Sequence, residues 1–315
     1  MLFVSPEDVQ KILDYPALIA QLEKAFAADY QVPLRHHHDY DNPVAQASST
    51  LLLMPAWQVG HQLGVKIVTI SPENSKYDLP AIFGTYMLFD AQKGMPLLQT
   101  DARLLTCRRT AAASALASQF LSNPQSETLL MVGTGAMAPH LIEAHCSNRP
   151  IKKVMIWGRS IEKAQKVVNQ LSHLQSIQFS LVEQLDQACS TADIISCATL
   201  SPSPLIKGNW LRAGQHIDLV GSYKPDMREA DDQVIQRAQV YVDTLEGACK
   251  ESGDIVIPIE KGLLKKEEIR GDLFGLCRQE VLGRTDTQSI TLFKSVGHAL
   301  EDLAAAQLLY HNLVK

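Results

Sequence analysis

Alternating blocks of apolar and polar positions divide the central part of the chain into strands and helices. The apolar run Thr128 to Val132 is followed by a polar-flanked segment, Pro139 to Ser147, and by a second apolar run, Lys152 to Gly158. Short apolar runs that alternate with helical segments are typical of parallel strands joined by helices. Three later runs continue the alternation: Ala192 to Thr199, His216 to Gly221 and Gln239 to Thr244. The pattern predicts a doubly wound α/β sheet.

The first part of the chain follows a different pattern, in which strands succeed one another directly. Ser5 and Pro6 are typical of a helix start, and a second helix is expected from Ala17 to Asp29. Strand-like runs then lie between turns, at Ala47 to Trp57, Leu63 to Ile70 and Phe83 to Asp90. An alanine-rich helix is expected from Ala102 to Leu121. These elements predict an α+β domain. Near the carboxyl end we expect a strand and glycine turn at Ser289 to Gly297, then a helix from His298 to Val314.

The first central strand ends in a glycine motif, Gly133-x-Gly135-x-x-Ala138. Gly133 permits a sharp turn, Gly135 lets a pyrophosphate approach the backbone, and Ala138 lets the following helix pack closely on the strand. The helix start would aim its amide groups at the phosphate. The alternative is a glycine turn with no ligand. We favour a dinucleotide site made by the whole segment, Gly133, Thr134, Gly135, Ala136, Met137 and Ala138.

The residues after the second strand bear on which dinucleotide binds. An NAD site usually has Asp or Glu there to accept from the ribose hydroxyls, whereas this strand ends in Gly158, Arg159 and Ser160. A guanidinium donates paired hydrogen bonds to a phosphate, and the missing carboxylate removes a repelling charge. The alternative is a solvated arginine at a strand end. We expect NADPH in preference to NADH.

Composition and charge exclude several classes of partner. The 315 residues are enough for two domains, and a net charge of -5 argues against nucleic acid or an anionic membrane as the main partner. The sequence has no run long and apolar enough for a membrane span and no basic segment before an apolar stretch at its start. We therefore expect a cytoplasmic protein. The six cysteines are irregularly spaced, which favours reduced thiols over disulfides or a zinc site.

Six motifs together resemble the ornithine cyclodeaminase/mu-crystallin family over nearly the whole chain. They are LGVKIVTISPEN, LLTCRRTAAASALA, MVGTGAMA, DLVGSYKPDMREADD, YVDTLEGACKESGD and FKSVGHALEDLAAA. The resemblance implies a homodimer, with a substrate-binding and dimerisation domain (residues 1–108 and 288–315) beside a Rossmann-type dinucleotide-binding domain (residues 109–287). It also implies chemistry at an amine or imine carbon next to a carboxylate.

Three cations resemble the residues with which this family holds the substrate carboxylate: Arg35, Lys66 and Arg109. Lys66 lies between Val65 and Ile67, so its charge would be desolvated unless an anion sits beside it. Arg35 could instead be a solvated loop residue. Adjacent helical positions point about 100° apart, so we assign Arg109 to the site and its neighbour Arg108 to the solvent face.

The loop after the strand His216 to Gly221 indicates the branch of the family. Cyclodeaminases and alanine dehydrogenases of the family carry a catalytic aspartate two residues beyond the glycine, where this chain has Tyr223. A phenol with an ordinary pKa near 10 is a poor base at neutral pH. We assign Asp226 and Glu229 to a capping box that starts the next helix. The loop resembles the ketimine reductases and Δ1-pyrroline-2-carboxylate reductases.

The resemblance therefore implies NADPH-dependent reduction of a cyclic imino acid, Δ1-pyrroline-2-carboxylate or Δ1-piperideine-2-carboxylate, to proline or pipecolate. Two alternatives stay open: cyclodeaminase or alanine dehydrogenase-like activity, and a mu-crystallin-like binding protein with little turnover. Ser222 and Tyr223 are expected at the substrate pocket, and Thr199 and Ser295 near the cofactor. The three consecutive histidines, 36–38, lack accompanying carboxylates or cysteines, so we expect no metal site.

Overall fold

The computed structural model of the protein describes residues 1–45 and 47–315. This part of the chain divides into two compact units, residues 1–109 with 299–315 and residues 110–298. The first unit is discontinuous, because the last helix of the chain returns to it.

The secondary structure of the described residues is as follows. The helices are α1 Pro6–Ile12, α2 Tyr15–Ala27, α3 Ala102–Leu121, α4 Met137–Asn148, α5 Ile161–Gln170, α6 Leu185–Thr191, α7 Asp232–Arg237, α8 Leu245–Glu251, α9 Gly253–Glu260, α10 Leu273–Cys277 and α11 Ala299–Leu313. The strands are β1 Leu2–Val4, β2 His36–Tyr40, β3 Ser49–Trp57, β4 Gln62–Ile70, β5 Ile82–Asp90, β6 Pro96–Asp101, β7 Thr128–Val132, β8 Lys153–Trp157, β9 Gln178–Leu181, β10 Ile194–Cys197, β11 His216–Leu219, β12 Ala238–Val242, β13 Gly271–Asp272 and β14 Ile290–Lys294. Short 3-10 turns lie at Pro72–Tyr77, Gly208–Trp210 and Lys266–Glu268.

The first unit is built on a six-stranded sheet in the order β1-β6-β5-β4-β3-β2. Neighbours from β2 to β6 run antiparallel, and β1 joins β6 in parallel. Helix α11 packs against α2 and against β3, β4 and β5. Because side chains alternate across a strand, the register Met54↔Lys66↔Tyr86 places three buried side chains on one face. The predicted α+β domain is confirmed, with β1, β2 and β6 added.

The second unit is an eight-stranded parallel sheet in the order β13-β12-β14-β11-β10-β7-β8-β9. The chain moves outward from β7 to β8 and β9, then returns to pair β10 with the other side of β7. This reversal of strand order is the mark of a doubly wound sheet, and it creates a crevice at the carboxyl ends of β7 and β10. The predicted Rossmann-type α/β fold is confirmed.

Two expectations about element limits differ from the structure. Strand β14 lies between β11 and β12 in the parallel sheet, so it belongs to the second unit. The sequence analysis had assigned residues 288–315, and therefore β14, to the first domain. The apolar side chains of β14 are buried on both faces, as in the other central strands. The helix expected to start at Asp226 is absent from the described residues, and the next helix, α7, begins at Asp232 with Asp231 as its N-cap.

Candidate functional site

The turn between β7 and α4 has the geometry of a phosphate cradle. Gly133 has a φ of +116°, and a Cβ there would lie 2.5 Å from the Ala198 carbonyl oxygen, so the position requires glycine. A Cβ on Gly135 would meet open space. Helix α4 has Ala136 as its N-cap, with no side chain capping its first turn. The first turn therefore has no side-chain acceptor for its amide groups, which suits a pyrophosphate.

The four other residues predicted for this segment surround the same turn. Thr134 is half-buried, and its Cγ2 lies 2.6 Å from the point where a Cβ on Gly158 would sit. Ala136 is exposed, Met137 is half-buried and Ala138 is buried in the helix–strand contact. The small size of Gly158 and Ala138 thus lets β7, β8 and α4 pack closely, with the Thr134 methyl group against Gly158.

The end of β8 offers one cation and one capping serine. Arg159 is exposed. The Ser160 hydroxyl accepts from the Lys163 amide at 3.2 Å as the N-cap of α5, and it donates to Glu162 Oε2 at 2.6 Å. Of the pair predicted to bind an adenosine phosphate, Arg159 is available to a ligand, whereas Ser160 is engaged in starting its helix.

The remaining predicted residues of the second unit lie where strands β10, β11 and β14 end. Thr199 is held by a buried carboxylate, that of Glu229, through its amide and its hydroxyl. The Ser222 hydroxyl is buried and donates to the Met227 carbonyl at 2.7 Å, so it fixes its own loop and is not directed into open space. Tyr223 is 49 % exposed. The amide of Ser295 donates to the Leu219 carbonyl at 3.0 Å.

The first unit contains a buried cluster of two cations and two carboxylates. Lys66 Nζ lies 2.7 Å from Asp302 Oδ2. Arg109 donates from Nε to Asp302 Oδ1 at 3.0 Å and from Nη1 to Glu301 Oε2 at 2.5 Å. All four side chains are at most 5 % exposed. Asp302 therefore bridges Lys66 and Arg109, the two cations that the sequence analysis placed in one site.

The anion beside Lys66 is part of the protein, which corrects one step of the sequence argument. The buried ammonium does not require an external anion, because Asp302 already compensates its charge. Burial lowers the pKa of Lys66 to about 8, with Asp302 opposing the shift and the charges of Arg109 and Arg35 adding to it. Burial acts to raise the pKa of Asp302, but Arg109 and Lys66 outweigh it and hold that pKa below its usual value.

Arg108 does not lie on a solvent face, contrary to the expectation. It is 4 % exposed, its Nε donates to the Leu13 carbonyl at 2.7 Å, and its guanidinium lies 4.2 Å from the centre of the Tyr15 ring. Helix α3 is buried on nearly all sides, so neither Arg108 nor Arg109 is exposed to solvent. Arg35 is half-buried just before β2 and is near enough for its charge to affect Lys66.

The sequence analysis did not recognise the role of three residues in these networks: Glu229, Glu301 and Asp302. Glu301 and Asp302 stand in the motif FKSVGHALEDLAAA, where two adjacent acids interrupt an otherwise apolar helix. Such an interruption is a usable signal, because a buried carboxylate requires a cation or hydrogen-bond donors. Glu229 was wrongly assigned to a capping box; its carboxylate is fully buried and accepts backbone hydrogen bonds.

Residues 1–45 and 47–315 contain neither a metal-binding cluster nor a membrane-spanning helix. No group of three or more His, Cys, Asp or Glu side chains there is arranged to hold a metal ion. None of the helices in this part of the chain is both long enough and apolar enough to cross a membrane. His37 of the three consecutive histidines approaches Asp39 at 3.1 Å on the exposed strand β2.

The chain is similar to known proteins over its full length. A model of the ornithine cyclodeaminase/mu-crystallin family matches residues 2–315. A Δ1-pyrroline-2-carboxylate reductase of Colwellia psychrerythraea is 38% identical over 315 residues, 99% of each chain. The solved structure of Thermococcus litoralis Δ1-pyrroline-2-carboxylate reductase in complex with NADH and L-proline is 33% identical, with a TM-score of 0.92 over 100% of this chain and 98% of that one. An archaeal alanine dehydrogenase dimer with bound NAD is 27% identical, with a TM-score of 0.90 over 100% and 96%.

Proposed function

Because the chain belongs to the ornithine cyclodeaminase/mu-crystallin family, we propose that it is an oxidoreductase that reduces the C=N bond of a cyclic ketimine carboxylate. Its substrate would be Δ1-pyrroline-2-carboxylate, Δ1-piperideine-2-carboxylate or both, and the products proline and pipecolate. The observation that carries the proposal is the buried Lys66–Asp302–Arg109 cluster in a chain 38% identical to a reductase of this name.

The charges of the first unit favour an anionic substrate. Lys66 and Arg109 place two cations in the cluster, and Arg35 lies near enough for its charge to lower the pKa of Lys66. The two hydrogen bonds from Arg109 to the carboxylates use Nε and Nη1, and neither uses Nη2. A guanidinium edge and an ammonium in a buried setting are suited to a substrate carboxylate.

Lys66 is also suited to proton transfer. An ammonium whose pKa is about 8 gives up a proton near neutral pH far more readily than an ordinary lysine. Protonation of the imine nitrogen makes the adjacent carbon more electrophilic. We propose that Lys66 donates this proton to the nitrogen and is then recharged from water, while Asp302 holds the side chain in place.

The second unit would hold the dinucleotide at the turn from Gly133 to Ala138, where Gly135 opens to space that a Cβ would fill. A bound nicotinamide cofactor supplies the hydride that the ring carbon gains as the nitrogen gains its proton. We propose NADPH as the preferred form, because the end of β8 carries Arg159 and no adjacent carboxylate. The NADH bound to the Thermococcus litoralis protein makes NADH the competing form.

The first unit also favours assembly with a second copy of the chain. The sheet face opposite α11 presents half-buried apolar side chains in register, including Leu53 beside Ile67 and Val65 beside Met87. An apolar sheet face of this kind is typical of a surface covered by protein. The related alanine dehydrogenase is a dimer, and we propose a homodimer here.

A substrate panel tests the reaction class. NADPH and NADH oxidation would be followed with Δ1-pyrroline-2-carboxylate, with Δ1-piperideine-2-carboxylate, and with pyruvate plus ammonium. Ammonia release from ornithine with NAD would be measured in parallel. We expect oxidation with at least one cyclic imine and none of the ornithine reaction, because Tyr223 replaces the base. Ammonia release without imine reduction would identify a cyclodeaminase. Dinucleotide binding without turnover on any substrate would identify a binding protein.

A further inference from the structure

The Glu229 carboxylate joins the loops that follow two adjacent strands. Oε1 accepts from the Thr199 amide at 2.7 Å and from the Thr199 hydroxyl at 2.9 Å. Oε2 accepts from the amides of Gly221 at 2.7 Å and Ser222 at 3.3 Å. Thr199 lies just beyond β10, and Gly221 and Ser222 lie just beyond β11. One side chain thus accepts four hydrogen bonds and sets the spacing of two loops.

These loops approach each other as closely as glycine allows. A Cβ on Gly221 would lie 2.0 Å from the Thr199 carbonyl oxygen and 2.3 Å from its nitrogen. A Cβ on Gly133 would lie 2.5 Å from the Ala198 carbonyl oxygen. The turns after β7, β10 and β11 are therefore in backbone contact. They lie at the carboxyl edge of the parallel sheet, where folds of this kind bind dinucleotides.

A second carboxylate and a buried lysine hold Glu229 itself. The amides of Glu229 and Ala230 donate to Asp254 Oδ1 at 2.8 and 3.1 Å. Lys294 Nζ lies 3.6 Å from Asp254 Oδ2, and both side chains are completely buried. Burial raises the pKa of Glu229, and the positive charge of Lys294 opposes that shift. Lys294 thus stabilises two carboxylates in a place where an uncompensated charge would be costly.

We infer that Glu229 is a positioning residue, which holds the Thr199 loop and the loop of Tyr223 in the spacing that ketimine reduction requires. The inference rests on the proposed function. Glu229 need not touch substrate or cofactor, since both of its carboxylate oxygens accept hydrogen bonds from loop donors. Thr199 and Tyr223 are in turn the residues expected to meet cofactor and substrate, so a shift of either loop changes the reacting geometry. A displacement of about 1 Å is enough to cost roughly 100-fold in rate.

The test substitution is Glu229→Gln, because it keeps the shape of the side chain and removes one acceptor. In either orientation of the new side-chain amide, its NH2 group takes the place of one carboxylate oxygen and faces the hydrogen-bond donors of that oxygen. These donors are either those of Thr199 or the amides of Gly221 and Ser222. Glu246→Gln is the matched control, since Glu246 is 61% exposed and its ion pair among the described residues is with Lys250 in the i,i+4 relation. It makes the same chemical change away from the loops.

Two readouts separate positioning from general stabilisation. Hydrogen exchange of peptides covering residues 198–201 and 219–223 reports the loops without any turnover, and we expect at least about tenfold faster exchange in Glu229→Gln. For turnover, we expect kcat with the cyclic imine to fall about 30- to 100-fold, while the dissociation constant for NADPH changes less than about fivefold. Glu246→Gln should match the unsubstituted protein in both.

Unchanged exchange in Glu229→Gln would overturn the link between the loops, and faster exchange with kcat within twofold would overturn the positioning role. An equal loss in Glu246→Gln would do the same. If Glu229→Gln does not fold, Thr199→Val removes the hydroxyl contacts to Glu229 at 2.9 Å and to the Ser201 amide at 3.4 Å, and keeps the bond from the Thr199 amide to Glu229. A kcat loss of about five- to tenfold with faster exchange is then expected. If the unsubstituted protein reduces no ketimine, the proposed function fails, while the exchange measurement still decides whether Glu229 holds the loops.

Discussion

Replacing Asp302 by asparagine tests whether this carboxylate sets the charge state of Lys66. The substitution keeps the size of the side chain but removes the negative charge that lies 2.7 Å from Lys66 Nζ and 3.0 Å from Arg109 Nε. Lys66 would then keep its burial and the two arginines, all of which lower its pKa, and lose the charge that raises it. An opposite charge at this distance is worth about 1–3 pKa units.

The expected result is a shift of the alkaline limb of the pH profile. In the unsubstituted protein, kcat/KM for the ketimine should fall as pH rises through about 8, where Lys66 loses its proton. With a shift of about two units, the protonated fraction at the original midpoint falls from about one half to about one in a hundred. Asp302→Asn should therefore lose roughly 50-fold in kcat/KM at that pH and regain part of it on acidification.

Glu301→Gln is the control for this experiment. Glu301 is also completely buried and bonds Arg109 at 2.5 Å, yet it is not among the largest contributors to the pKa shift of Lys66. We expect it to weaken the fold without moving the limb. The ionisation of the substrate is the same in all three proteins, so only the difference between them counts. A limb that stays near pH 8 in Asp302→Asn, or that moves as far in Glu301→Gln, would refute the assignment.

Asp302→Asn should also lower the free energy of unfolding. Removing one partner of a buried ion pair costs about 3–5 kcal/mol, or a fall of roughly 6–20 °C in Tm at about 2–4 °C per kcal/mol. The pH dependence has a defined sign, because the folded pKa of Lys66 is lowered from 10.5 to about 8. Between these values the unfolded chain binds more protons, so the contribution of Lys66 makes the fold more stable as pH rises through that window. Thermal unfolding at several pH values measures both effects.

Three further predictions concern the cation cluster, the cofactor and assembly. Lys66→Met should lower kcat/KM for the ketimine by about 100-fold or more, since it removes a carboxylate anchor and a proton donor. The dissociation constant for NADPH, measured by NADPH fluorescence, should change by less than about twofold. Near-normal reduction of the ketimine would exclude Lys66 from the reaction. Arg159→Asp should narrow or reverse a preference for NADPH over NADH in kcat/KM, because it puts a carboxylate where the adenosine phosphate of NADPH would lie. Equal use of both cofactors by the unsubstituted protein would argue against Arg159 as the ligand of that phosphate. Light scattering should give twice the chain mass of 34.8 kDa at micromolar concentration, and a monomer would contradict the role given to the apolar sheet face.

The features predicted correctly from the sequence are those that depend on residues close to one another along the chain. The turn at Gly133 and Gly135, the start of α4 and the alternation of strands and helices depend on neighbouring residues, and each was recognisable from the sequence. The partners of Arg109 were not, because Asp302 is 193 positions away along the chain. Glu229 and Asp226 at a spacing of three satisfy a capping-box pattern, but the distant donors of Thr199 use the Glu229 carboxylate instead. Such pairings depend on the tertiary fold, which a single sequence does not display.

The discontinuity of the first unit has a consequence for the order in which the protein is made. Residues 110–298 are a contiguous unit, so all of their strands are synthesised before α11. The first unit needs α11, which supplies both Glu301 and Asp302 from residues 299–315. Until those residues emerge, Lys66 and Arg109 have no acids to accompany them into the interior, and burying them is unfavourable. Residues 1–109 are therefore synthesised before the second unit, but they reach their folded state only after α11 has been added.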